Sequence, residues 1–133
     1  MSNSLWRILI GTVIAAHGVG HLFFLVPTLG LAQWGLTGRS WLLNGHIPEL
    51  AVKVVGGALW LVVIAGFVAS GIGVLSQQEW WRAVAIGSAV VSLLGLALFW
   101  QPVQPVYSAG LMDIAILVAL LLVHWLSVSL VGS

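Results

Sequence analysis

Residues 50–75 read LAVKVVGGALWLVVIAGFVASGIGVL, a run of 26 positions that contains one charged side chain, Lys53. At ~1.5 Å of rise per residue this helix is long enough to cross the ~30 Å hydrocarbon core of a bilayer. Three further runs have the same character, approximately Leu5–Val26, Trp80–Trp100 and Tyr107–Val131. Their ends carry helix punctuation: Pro27 after the first, Pro48-Glu49 before the second, Ser76-Gln77-Gln78-Glu79 between the second and third, and Gln101-Pro102-Val103-Gln104-Pro105 before the fourth. We therefore expect an all-α fold, a four-transmembrane-helix bundle running up-down-up-down, with residues 1–133 forming one integral membrane domain. The sole sizeable connection is the loop 28–47, read as an interfacial hairpin or a short amphipathic segment.

Composition points the same way, because 61% of the 133 residues are apolar and 5% are charged. A soluble domain of this size carries roughly a quarter of its residues as charges, so lipid has to replace the missing polar exterior. A net charge of +1, without a basic stripe, argues against nucleic acid as a partner. The absence of cysteine removes disulfides, thiolate ligands and iron–sulfur clusters. The first apolar run exceeds the usual ~7–15-residue core of a signal peptide and is read as a retained helix.

Trp6, Trp34, Trp41, Trp80, Trp81, Trp100 and Trp125 fall near span ends or in the first loop, where an indole can sit among headgroups; Trp60 lies mid-span, between helices or facing lipid. Inside lipid, helices join through small residues. Thr12, Ala16 and Gly20 form one such stripe, Gly66 and Ser70 a second, Ser88 and Ser92 a third. The positive-inside count ties, with Arg7 and Arg82 against Arg39 and Lys53. Cytoplasmic termini are preferred because Arg7 and Arg82 adjoin short segments.

The polar residues of the spans are those that lipid should exclude, since a charge at mid-bilayer costs at least ~2.5–3.5 kcal/mol. From helical rise, His17 lies ~18 Å, His21 ~24 Å and Asp113 ~21 Å from the same membrane face, one shared layer. His17 and His21 occupy one helix face. Two readings are open. Lys53 pairs with Asp113 while the imidazoles bond carbonyls or water, or His17, His21 and Asp113 ligate a divalent metal with Glu49 as a further, weaker ligand. Two imidazoles and a carboxylate suit zinc, iron or manganese; a proton relay needs the same residues. Haem is disfavoured, because one helix cannot supply both axial ligands to one iron and His124 lies ~13 Å nearer the inner face than His17. His124 is read as an interface histidine, and His46 as a loop residue.

The segment His17-Gly18-Val19-Gly20-His21, with Pro48-Glu49, Gly56-Gly57 and Gly110-Leu111-Met112-Asp113, resembles the DoxX-like small bacterial membrane proteins. The resemblance implies a four-helix bundle and association with a membrane oxidoreductase assembly, and it transfers no catalytic residue. The functional expectation is a non-catalytic accessory or assembly subunit of a larger, electron-transfer-type complex in a bacterial inner membrane, partnered by lipid and by other membrane subunits or further copies of itself. The alternatives are a metal-binding or redox membrane protein using the His/His/Asp site, and a proton-coupled carrier. No nucleophilic triad or phosphate loop marks the chain as an enzyme.

Overall fold

The computed structural model describes residues 2–122. His124, Trp125 and the end of the fourth span lie outside them. The described chain is helical, in the order α1 (Asn3–Gly20), α2 (Leu22–Thr28), α3 (Glu49–Leu75), α4 (Trp81–Leu98) and α5 (Gln104–Leu117), which passes into a π-helical turn over Val118–Leu122. Four helical stretches are long and apolar enough to cross a membrane: Asn3–Thr28, Glu49–Leu75, Trp81–Leu98 and Gln104–Leu122. The first is α1 and α2 together, joined through His21. Against the sequence expectation, the first span continues past Pro27 to Thr28, and the fourth begins at Gln104 rather than Tyr107. Proline is tolerated in a first helical turn, where no N–H is required, and Pro105 takes that place.

Pro27 is accommodated by a substitute donor. It has no N–H for the carbonyl of Phe23, four residues back, and the indole Nε1–H of Trp34 donates to that carbonyl at 3.0 Å. The loop after α2 does the same for α4, whose last carbonyls have no intrahelical partner. Ser40 Oγ donates to Leu98 O at 2.5 Å and Trp41 Nε1 to Ala97 O at 2.6 Å. Gln101 and Thr37 complete the clamp, with Thr37 N–H donating to Gln101 Oε1 and Gln101 Nε2 donating to Thr37 O, both at 2.9 Å. The expected hairpin or short amphipathic segment is an irregular loop that caps helix ends, with Leu36 plugged beneath it.

α3 is the centre of the bundle: α1 and α2 pack on it from one side and α4 from another, while α5 packs on α4. α1 and α5 approach each other sparsely. The α1–α3 contact is close enough to be backbone on backbone, because a Cβ on Gly11 would stand 2.9 Å from Gly71 O and one on Gly18 2.7 Å from Phe67 Cβ. The packing face of α1 is therefore Gly11, Ile14 and Gly18. This corrects the expected stripe of Thr12, Ala16 and Gly20, all exposed, with open space where a Cβ on Gly20 would lie. The other stripes pack as expected: Ser88 abuts Gly66, and Ser70 and Ser92 are fully buried.

Most described tryptophans stand at the rim and are exposed, but Trp81 is buried, its Cβ packed on Gly73 and its ring 5.0 Å from the Arg82 guanidinium carbon. Trp60, 1% exposed, packs between helices and stacks on Phe24 at 5.0 Å.

Gly18→Leu is expected to lower the melting temperature in detergent strongly, since over-packing a tight contact costs about 1–3 kcal/mol or more, whereas Gly20→Leu should be nearly neutral. Equal melting temperatures would place the α1–α3 contact elsewhere.

Candidate functional site

The site is built around a break in the first span. His21 separates α1 from α2, and its backbone N–H bonds Gly18 O at 3.1 Å instead of reaching His17 O. The carbonyl of His17 would then be an unsatisfied acceptor inside the membrane, a cost of several kcal/mol. The imidazole of His21 supplies the donor, its Nδ1–H standing 2.8 Å from His17 O. A carbonyl only accepts, so Nδ1 carries the proton. The Nε2 lone pair of His21 in turn faces Ser92 on α4, whose hydroxyl donates at 2.8 Å. The histidine at the break thus ties α1 to α4.

His17, one turn earlier, reaches α5, where its Nε2–H donates to Asp113 Oδ1 at 2.7 Å. The rings of His17 and His21 meet edge-to-face with centroids 4.7 Å apart. Phe67 of α3 lies against both, at 4.8 Å from His17 and 5.6 Å from His21, and Trp60 and Phe24 close around His21 at 5.8 and 5.6 Å. Asp113 is fully buried, His21 is 1% exposed and the His17 side chain is 11% exposed. The second carboxylate oxygen, Asp113 Oδ2, is buried with no hydrogen-bond partner.

The three residues placed in one layer by the sequence are therefore in contact, and one potential ligand atom from each lies within 4.8 Å of the others. The weaker candidates fall elsewhere. Glu49 is exposed and lines a polar pocket of about 250 Å³ with Lys53 and Arg39 at the other end of α2. Lys53 is not the partner of Asp113: His17 holds that carboxylate, and no salt bridge joins Lys53 to Asp113 or Glu49 among the described residues. The reason is access, because Lys53 sits in the second turn of α3 beside Gly30, within reach of the loop. His46 is exposed in the loop.

A cleft of about 420 Å³ opens beside the cluster, with His17, Gln104, Ser108 and Met112 among its walls. Gln104 Nε2 donates to Ser108 Oγ along this wall. Sequence reasoning named Ser92 only as a small packing residue and missed Gln104 and Ser108. The available signal for Ser92 was a hydroxyl on a predicted packing face, opposite two histidines that needed partners.

No protein-family model matches this chain, and no curated protein or solved structure does. The resemblance to DoxX-like proteins rests on the short motifs quoted above.

Ser92→Ala should lower stability by about 1–3 kcal/mol through the unpaired Nε2 it leaves in the core, and Ser92→Thr should retain most of it. Denaturation in detergent reads both. A Ser92→Ala protein as stable as the wild type would mean that the hydroxyl does not hold His21.

Proposed function

We propose that this is a membrane-embedded metal-binding protein in which His17, His21 and Asp113 hold one divalent ion of the zinc or ferrous iron type. The observation that carries the reading is Asp113 Oδ2, a buried carboxylate oxygen with no donor. A carboxylate fully withdrawn from water needs several kcal/mol of compensation, and one hydrogen bond from an imidazole leaves one of its two oxygens without a partner. A metal ion satisfies such a group.

The residues fit a metal. Around an ion bound at ~2.1 Å by nitrogen and oxygen, ligand atoms stand roughly 3–4 Å apart. Closing the 4.8 Å group and opening the 2.7 Å His17–Asp113 contact to that spacing takes shifts of an ångström or less. His21 already has the outer-shell bond typical of a ligating imidazole, its Nδ1–H on a backbone carbonyl, and its Nε2 becomes the ligand atom when the Ser92 hydroxyl turns away from it. The exposed edge of His17 on the cleft gives a bound ion a route to a fourth ligand.

The up-down-up-down arrangement belongs to this reading, supported by the short connections between α3, α4 and α5. A bacterial inner membrane is what the DoxX-like resemblance implies, and cytoplasmic termini, preferred on Arg7 and Arg82, put the site in its outer half. The accessory-subunit reading rests on small size and composition, and a metal site is compatible with it. A second reading, proton exchange between His17 and Asp113, is favoured by their direct 2.7 Å contact, the geometry of a dyad sharing one proton.

Metal analysis of the protein, purified in mild detergent without chelator and offered zinc or ferrous iron, separates the two. One tightly held equivalent is expected, weakened roughly 10–100-fold or more in His17→Ala, His21→Ala and Asp113→Asn. Wild-type protein that takes up no more metal than Asp113→Asn would leave the proton dyad as the function.

A further inference from the structure

The cleft beside His17 meets a second cleft at Met112, and the two lie end to end along the described seam between α1 and α5. The second half, about 300 Å³, is lined among the described residues by apolar side chains, from Trp6 and Ile10 on α1 to Ala115 and Ala119 beyond Asp113. Met112 borders both halves. On α1 the walls follow one stripe at helical spacing, Trp6, Ile10, Val13, His17 and Gly20, so the groove runs most of the length of the span.

We propose that this seam binds an uncharged long-chain lipid with a hydroxyl or carbonyl head, which enters sideways from the bilayer, lays its chain in the apolar half and places its head oxygen at His17. The division of the groove sets the orientation, because the polar atoms on its walls, from His17, Gln104 and Ser108, all lie in one half. Depth sets the charge of the head. His17 lies ~21 Å of helix from Asn3 and ~17 Å from Thr28, near mid-membrane, where the phosphate of an ordinary phospholipid does not descend. Among the described residues neither half is lined by Lys or Arg, and Asp113 adjoins His17, so an anionic head meets no Lys or Arg there. Cavities of this size are in the range that binds small molecules, about 300–1,000 Å³. His17 and His21 both border the cleft, and His17 offers a molecule in it the larger surface, since His21 and Asp113 are 1% and 0% exposed.

The proposal rests on the metal reading only for what the head oxygen meets, either a bound ion or the imidazole itself. The test is photolabelling in phosphatidylcholine nanodiscs with a diazirine-bearing hexadecanol, with labelled residues mapped by mass spectrometry. Labelling should concentrate on Ile10, Val13, Met112 and Ala115, and excess hexadecanol should suppress it, with palmitate and added phosphatidylcholine much less effective. Ala115→Trp fills the apolar half and should cut labelling roughly tenfold through lost chain contacts, while leaving metal content unchanged. Leu111→Trp, on a more lipid-exposed position of α5, should change neither and controls for misfolding. Labelling spread around the apolar belt, or competed equally by phosphatidylcholine, would overturn the proposal and show a lipid annulus only. Competition by palmitate alone would overturn the neutral head. Saturable labelling in protein that takes up no metal would sustain the groove and refute the metal site; one equivalent of metal with unsaturable labelling would do the reverse.

Discussion

The hydrogen bond between His17 on α1 and Asp113 on α5 is the constraint around which the membrane part of this protein is arranged. Elsewhere α1 and α5 scarcely approach, and each is held through a neighbour, α1 by α3 and α5 by α4. A carboxylate at the middle of the span cannot be left to hydrocarbon. Its partner must come from a helix at the same depth, and His17 meets that requirement. The contact fixes the axial register of the first and fourth spans and leaves on either side of itself the seam that opens to lipid.

A second constraint follows from the same absence of water: every backbone group freed from a helix has to find a donor or acceptor inside the protein. The chain does this with side chains from a short distance away. His21 returns a proton donor to His17 O at the break, Trp34 serves the carbonyl that Pro27 cannot, and Ser40 and Trp41 cap the end of α4. His21 therefore has two roles at once. It repairs the helix with Nδ1 and holds Ser92 with Nε2 while its ring packs on His17, so the interruption of the span and the candidate site have one origin.

The spans and the meeting of His17, His21 and Asp113 were legible in the sequence because each depends on length and helical rise, which lipid does not blur. The packing face of α1 was not. In a soluble helix polar residues mark the outer side, but here both sides are apolar, and two interleaved small-residue stripes, one through Gly11 and Gly18 and one through Thr12, Ala16 and Gly20, were equally eligible. Phe67 and Gly71 on α3 decide between them, and residues that far apart in the chain are paired only by the fold. Lys53 was misplaced for a similar reason, since its depth permitted Asp113 but the pocket beside α2 kept it at the rim. Gln104 was read as part of the connection because the fourth span starts earlier than its apolar run.

A double-mutant cycle on His17 and Asp113 tests the central contact most directly. Unfolding free energies would be measured for metal-stripped wild type, His17→Ala, Asp113→Ala and the double variant in one detergent. A buried, charge-assisted hydrogen bond across two spans predicts a coupling of about 1–3 kcal/mol, the double variant losing much less than the sum of the single losses. Additive losses, with coupling near zero, would mean that His17 and Asp113 do not share a bond and that the cluster does not organise the bundle.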